Sequence, residues 1–329
     1  MMRTYRVGVV GVTGLVGQTM LEVLAEYQFP ISHLGVFASK RSVGKIIQFK
    51  GVNYQIEELN EKSFDQGFDI VLFAVEADLA KLYAPIAAKS GAYVIDNSSA
   101  FRMNPEIPLI VPEVNINILH SDNHLIANPN CSTIQSVVPL KVIDELFGVK
   151  RVSYTSYQAV SGSGQAGIDD LKRGREGLEP LFYPRPINHN VIPHIDSFLD
   201  NGFTKEEMKM VNETNKILGK PIEVEATCVR VPVYVGHSVS MSVETIKPVD
   251  ISLLKEAFNK HSQIRLYEDQ TYPTPLDSVG QDRVLIGRLR KNLYHDNQVL
   301  LWSVADNVRK GAASNAVQIA QYIIKEILK

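Results

Sequence analysis

The chain has 329 residues, 45% of them hydrophobic and 21% charged. That is the balance of a globular protein long enough for about two domains and for a core that needs neither disulfides nor metal. With 34 basic and 36 acidic residues the formal net charge is -2 and no basic block stands out, which argues against nucleic acid as a partner. Two cysteines, Cys131 and Cys228, are too few for a disulfide scaffold or a structural zinc site, so no metal is expected. The chain opens without a signal-peptide pattern and contains no apolar run of membrane-spanning length, so a reducing cytoplasm and no membrane partner are expected.

The first element predicted is a buried strand at Arg6-Val7-Gly8-Val9-Val10. Gly11-Val12-Thr13-Gly14-Leu15-Val16-Gly17 follows at once, and then a segment from Gln18 with helical spacing. Strand, glycine turn and helix is the context in which a backbone approaches a pyrophosphate and a helix start offers free N–H groups to it. Gly11, Thr13, Gly14, Leu15 and Val16 are therefore candidate cofactor contacts, although the spacing is G-x-x-G-x-x-G rather than G-x-G-x-x-G. A second strand is expected near 34–38. NAD-binding chains carry an acidic residue about 20 residues beyond the glycines. Here the stretch reads Ser39-Lys40-Arg41-Ser42. A hydroxyl and a guanidinium hold a 2′-phosphate that a carboxylate would repel, so Ser39, Arg41 and Ser42 point to NADP. The plainer reading is a solvated basic loop.

Strands at 68–74 and 91–96 flank a helix at 77–90, and this alternation predicts a doubly wound parallel sheet. Asp96-Asn97-Ser98-Ser99-Ala100-Phe101-Arg102 lies at a strand's carboxyl end, where such sheets bind ligands. A short strand, Leu125-Ile126-Ala127, leads into Asn128-Pro129-Asn130-Cys131-Ser132-Thr133 and an amphipathic segment to Phe147. Cys131 thus stands at a helix start, which favours the thiolate of a group that ordinarily titrates near about 8.5. Cys228, inside Ala226-Thr227-Cys228-Val229-Arg230-Val231, reads as a buried structural thiol. From about 132 to 305 the pattern turns β-rich, suggesting an α+β domain on a mixed or antiparallel sheet. The segment from Lys310 to Leu328 is again helical.

In order, the glycine loop, Asp96–Arg102, Asn128–Cys131, Ser156-Tyr157-Gln158-Ala159-Val160-Ser161-Gly162, Val211–Ile217, Cys228–Val233 with Gly236-His237-Ser238, and Asp306–Ala313 resemble aspartate-semialdehyde dehydrogenase of the short bacterial type. The resemblance implies a Rossmann-type cofactor domain, 1–131 with 306–329, and a catalytic and dimerisation domain, 132–305. It implies reductive dephosphorylation of aspartyl phosphate to aspartate semialdehyde with NADPH, within biosynthesis of lysine, methionine, threonine and isoleucine. Cys131 resembles the nucleophile, His237 the acid/base and Gln158 the residue that orients the acyl-enzyme. Arg230, Glu213 and Asn130 resemble the substrate-binding set, with Arg230 on the carboxylate and Glu213 on the amine. Arg102 and Lys216 resemble the pair that binds inorganic phosphate. Ser161, Gly162 and Asn307 join the cofactor contacts, and the assembly implied is a homodimer or homotetramer.

Three alternatives stay open at this point. An N-acetyl-gamma-glutamyl-phosphate reductase shares the glycine loop, thiol and histidine. A non-catalytic NADP-binding protein needs only the first domain. Glu213 and Lys216, three residues apart, also suit an ordinary helix ion pair. Arg230 and His237 are seven residues apart, an odd offset that puts them on opposite faces of one strand. Sharing a site therefore demands a bend, for which Pro232 and Gly236 are available.

Overall fold

The computed structural model describes residues 3–268 and 270–329. The chain forms two compact units: 1–129 with 312–329, and 130–311. Cys131 and Asn307, expected near the edges of the cofactor domain, both fall in the second unit.

In the first unit, β1 (Tyr5–Val10) runs through a glycine turn into α1 (Leu15–Glu26) and β2 (Ile31–Ala38). A hairpin of β3 (Ile46–Phe49) and β4 (Val52–Gln55) and the two-residue β5 (Glu57–Glu58) follow. Next come β6 (Ile70–Phe73), α2 (Ala77–Lys89), β7 (Tyr93–Asp96), the short α3 (Pro112–Asn115) and β8 (Leu125–Ala127). The sheet order is β5-β2-β1-β6-β7-β8, and every pair in it is parallel. Both faces are covered, which explains why these strands read as continuous apolar runs. Along β6, Ile70 and Leu72 enter one core while Val71 and Phe73 enter the other, the period-two alternation of a strand. The order starts at β1, proceeds to one side, then restarts at β6 on the other. The switch point lies between β1 and β6, where such sheets bind their ligands.

The second unit begins with α4 (Cys131–Phe147), β9 (Val149–Gln158), α5 (Gly164–Arg175) and α6 (Lys205–Leu218). It continues with β10 (Glu223–Arg230), β11 (His237–Thr245), α7 (Ile251–Lys260), β12 (Ile264–Leu266), α8 (Pro275–Ser278), β13 (Val284–Lys291) and β14 (Gln298–Ala305). The sheet order is β10-β9-β11-β14-β13-β12, with parallel pairs at the two edges and antiparallel pairs between. The β-rich stretch is therefore a mixed sheet. Val152, Tyr154, Ser156 and Gln158 of β9 are buried, whereas Tyr157, from the alternate set, is 37% exposed.

Helix α4 departs from the amphipathic expectation. It packs against β9, β11, β13, β14, α6 and α7, so it is buried on nearly every side. Its polar residues answer to the fold: the Gln135 amide donates to the carbonyls of His237 and Ser303, each at 3.4 Å. The chain then returns to the first unit as α9 (Ser314–Tyr322), whose Ala316, Val317 and Ala320 join the core that holds Met20 and Leu24 of α1. Among the described residues no helix is long and apolar enough to cross a membrane, and no His/Cys/Asp/Glu group is arranged to hold a metal ion.

Candidate active site

In the first unit the glycine loop sits at the switch point. Gly11 has φ +83°, and a Cβ there would stand 2.2 Å from the carbonyl oxygen of Ala74, just past β6. A Cβ on Gly17 would stand 2.3 Å from the Gly11 carbonyl oxygen. Only glycine permits this turn, which brings main chain close to whatever lies over it. Gly14 is the N-cap of α1 and no side chain caps the helix. The first-turn N–H groups of Leu15 and Val16 therefore lack both an intrahelical acceptor and a capping oxygen. A turn that a Cβ would block, ending in an uncapped helix start, fits a dinucleotide pyrophosphate. Thr13 is exposed on the same loop. Ser39, Arg41 and Ser42 follow β2 in one short turn with no carboxylate among them; Ser39 and Arg41 are exposed and Ser42 is half-buried. Arg102 is buried in this unit. Its Nε donates to the Asn128 carbonyl at 2.9 Å and its Nη2 to the Asn97 carbonyl at 2.8 Å, so its guanidinium plane is fixed.

The thiol lies in the second unit. Cys131 is the first residue of α4, half-buried, with the preceding Asn130 as N-cap. Asn130 is held on three sides. Its N–H donates to Glu213 Oε2 at 2.7 Å, and its Nδ2 donates to Glu206 Oε1 at 2.8 Å. Its Oδ1 accepts from the N–H groups of Ser132 (2.9 Å) and Thr133 (3.3 Å). Gly311 backs the thiol: a Cβ there would come within 2.7 Å of Cys131 Cβ. Neither Cys131 nor Cys228 is in a disulfide. Cys228 is fully buried, and burial, with the Glu206 and Glu207 carboxylates nearby, pushes its thiol up to about 12. Inertness follows for that sulfur.

Three strand ends of the same unit carry the other polar groups. Arg230 ends β10 and pairs with Gln158 at the end of β9. His237 begins β11, one residue before Ser238, which pairs with Tyr157. Gln158, Arg230 and His237 are therefore level on three adjacent strands. The seven-residue problem disappears because the two basic residues occupy different strands with β9 between them. Residues 231–236 make the connection, and Gly236 turns it with φ +95°. Asn307 fastens that connection: its Oδ1 accepts from the Gly236 N–H at 2.9 Å and its Nδ2 donates to Ser161 Oγ at 2.9 Å. Gly162 leaves room above the basic pair. A Cβ on it would stand 2.8 Å from Arg230 Nη1 and 3.2 Å from His237 Nε2.

His237 is fully buried, and its Nδ1 accepts from the Ala159 N–H at 3.0 Å. The neutral ring must therefore carry its proton on Nε2, an atom that is buried with no hydrogen-bond partner among the described residues. Burial, and then the Arg230 guanidinium, hold the ring well below the ordinary imidazole range, so it is neutral at pH 7. Arg230 donates from Nη1 to the Ala159 carbonyl at 2.7 Å, while its buried Nε has no partner among the described residues. Glu213 is buried on α6, and Lys216 one turn later is half-buried. Burial lowers the Lys216 ammonium, and the Glu213 charge opposes that shift.

Sequence reasoning missed Glu206. It is seven residues before Glu213, two helical turns, and so lies on the same face of α6. Gln158 Nε2 donates to its Oε1 at 3.1 Å, and Lys209 Nζ to its Oε2 at 3.1 Å. The signal was the spacing 206, 209, 213 behind a Thr204–Glu207 capping box. In sequence it looks like any charged helix.

The likeness of the chain to known proteins covers both units. Residues 6–121 match the NAD-binding domain of the semialdehyde dehydrogenases, and residues 140–310 match the dimerisation domain of the same family. The aspartate-semialdehyde dehydrogenase of Aquifex aeolicus is 46% identical over 98% of both chains, and aspartate-semialdehyde dehydrogenase 2 of Vibrio cholerae is 45% identical over 99% of both. The crystal structure of Vibrio cholerae aspartate semialdehyde dehydrogenase II complexed with ASA superposes with a TM-score of 0.96 at 45% identity, covering 99% of this chain and 100% of that one. A probable aspartate-semialdehyde dehydrogenase from Pseudomonas aeruginosa, 27% identical, superposes over 98% of this chain with a TM-score of 0.91. With both domains matched and the likeness running end to end, the chain belongs to the aspartate-semialdehyde dehydrogenase family.

Proposed function

We propose that this chain is an NADP-dependent oxidoreductase that converts L-4-aspartyl phosphate to L-aspartate 4-semialdehyde and inorganic phosphate through a thioester on Cys131. The observation that carries the reading is the thiol at the first residue of α4, beside an asparagine fixed on three sides. Gln158, Arg230 and His237 stand at one sheet end in the same unit.

The Cys131 thiolate attacks the acyl carbon, a C–S bond forms, and the C–O bond to phosphate breaks with its electron pair leaving on phosphate. Nicotinamide, when bound, supplies the hydride that reduces the thioester. His237 holds a proton on Nε2 and, without giving it up, directs it as a hydrogen bond to the oxygen on which charge develops. Taking a proton at Nε2 would require the other tautomer and would forfeit the bond from the Ala159 N–H, so the geometry favours a neutral hydrogen-bond donor to the oxyanion over a base. The C–S bond then breaks, releasing the aldehyde and restoring the sulfur. Arg230 suits the substrate carboxylate because its buried Nε is unpartnered within the described residues. Glu213 is assigned to the amine. Lys216, and Arg102 of the first unit, keep the phosphate role that family resemblance implies.

Mass spectrometry after mixing enzyme with aspartate semialdehyde and NADP, without phosphate, tests the reading. An acyl adduct on the peptide containing Cys131 is expected. Its absence, with turnover restored by phosphate, would reject the thioester, and an adduct formed only from the N-acetylglutamyl homologue would reject the substrate.

The glycine loop and the start of α1 are assigned to the pyrophosphate, and Ser39, Arg41 and Ser42 to the 2′-phosphate. Ser161, Gly162 and Asn307 complete the proposed contacts. Arg41→Ala is expected to weaken NADP between about tenfold and a hundredfold, the worth of a hydrogen bond to a charged group, and to leave NAD unchanged. Equal losses for both in a fluorescence titration would reassign the loop. The proposed assembly is a homodimer through the second unit, and the proposed location is the cytoplasm, whose reducing poise keeps a nucleophilic thiol reduced.

A further inference from the structure

Glu206 is 5% exposed, on the second residue of α6. One oxygen, Oε1, serves two amides that belong to different elements: Asn130 Nδ2 at 2.8 Å before α4, and Gln158 Nε2 at 3.1 Å at the end of β9. The other oxygen accepts from Lys209, whose ammonium also reaches Asp196 at 2.9 Å. An ionised carboxylate can only accept, so both amides must turn their NH2 groups toward it. The orientation propagates. Asn130 is left with Oδ1 facing the N–H groups of Ser132 and Thr133, the acceptor a helix start needs. Gln158 places its second N–H on Ser156 Oγ at 3.2 Å, so Oε1 is the atom it has left to offer. A half-turn of the Asn130 amide would set NH2 against N–H and uncap α4 directly behind Cys131.

We propose that Glu206 is a positioning residue: its Oε1 fixes the donor and acceptor sense of Asn130 and Gln158 together, and so sets the helix start that carries the thiol and the amide that faces the acyl group. This rests on the assignment of Cys131 and Gln158 to the reaction. Burial by itself would push the Glu206 carboxyl up, but the Lys209 charge and the two amide donations more than offset it and hold the group below the usual carboxylate range. Lys209 in turn is held up by Glu206 and Asp196 against its own burial. The pair keeps the accepting form in place at neutral pH.

Glu206→Gln preserves size and removes the charge. Lys209 then draws the remaining carbonyl to itself, and an NH2 group is turned against the two amides. Turnover of aspartate semialdehyde is expected to fall about 10²-fold, with KM within about threefold, as for a misplaced rather than a missing contact. In the double variant Glu206→Gln/Lys209→Met the rival donor is gone, the carbonyl returns to the amides, and at least tenfold of the loss is expected back. The side-chain NH2 resonances of Asn130 and Gln158, followed by nuclear magnetic resonance in asparagine- and glutamine-labelled enzyme without substrate, should move in the single variant and return in the double. Parental values of both kcat and the resonances in the single variant would overturn the proposal, and so would a double variant as impaired as the single. Resonances that move and return in an enzyme that never turns over aspartate semialdehyde would support the positioning and reject only the substrate assignment.

Discussion

Cys131→Ser is expected to lower turnover with aspartate semialdehyde, NADP and phosphate by at least about 10⁴-fold, while NADPH affinity stays within about twofold of the parent. Loss on that scale is the measure of a nucleophile removed from a covalent route. Serine is the stringent choice because it keeps the N1 position of α4, the Asn130 cap and the contact with Gly311. What it changes is the ease of reaching the anion, since a thiol ionises near about 8.5 and an alcohol does not ionise in this range. The second cysteine supplies the control. Cys228 is fully buried on β10, its thiol is pushed up to about 12, and its Sγ lies 3.7 Å from Met210 Sδ. Cys228→Ser should leave kcat within about threefold and alter stability alone. Steady-state kinetics and a cofactor titration on the two variants decide the matter. Residual turnover of Cys131→Ser above about one part in a hundred would dismiss the covalent route, whatever the fate of Cys228→Ser.

The two sulfurs also show how far the sequence could be read. Cys131 announced itself because the polar Asn-Pro-Asn before it and Ser-Thr after it do not read as an apolar core, and the strand at 125–127 placed it at a helix start. The structure adds that Asn130 is the cap itself. The glycine loop was equally legible, because strand, turn and helix are contiguous and each carries a local signature. Residues whose partners are distant in the chain were not. Arg230 and His237 looked like one strand with a bend, because nothing local indicates that β9, some 70 residues earlier, inserts between β10 and β11. Helix α4 read as amphipathic, yet it is surrounded by four strands and two helices. Its polar Ser132, Thr133 and Gln135 are buried rather than solvated. Glu206 was invisible for a related reason. A glutamate three residues from a lysine is a common pattern on an exposed helix. Only the tertiary approach of Asn130 and Gln158 makes this one a buried acceptor. What remained hidden was thus the set of non-local polar contacts, and those contacts decide which atoms of the site donate and which accept.

His237→Gln carries the second large effect, a fall in kcat of about 10³-fold, within the range for losing a positioned hydrogen-bond donor to an oxyanion. The tautomer makes a more particular demand. Because Nδ1 already accepts from the Ala159 N–H and the ring is buried beside Arg230, the folded protein keeps His237 neutral well below the ordinary range. The parent kcat should therefore show no imidazole titration between about pH 6 and pH 8, where an unperturbed ring near about 6.5 would change charge. The same depression couples to folding. The unfolded chain takes up a proton on this ring below about pH 6.5, whereas the folded chain does not. The stability that the neutral ring contributes is then complete above that pH and is lost as pH falls toward the folded value, by up to about 1.4 kcal/mol per unit. Denaturant titrations from pH 7.5 to 5 should show a steeper loss for the parent than for His237→Gln, the difference growing only below about 6.5. Parallel curves would mean that the ring is charged in the folded state, and then neither the tautomer nor the donor role assigned to Nε2 could stand.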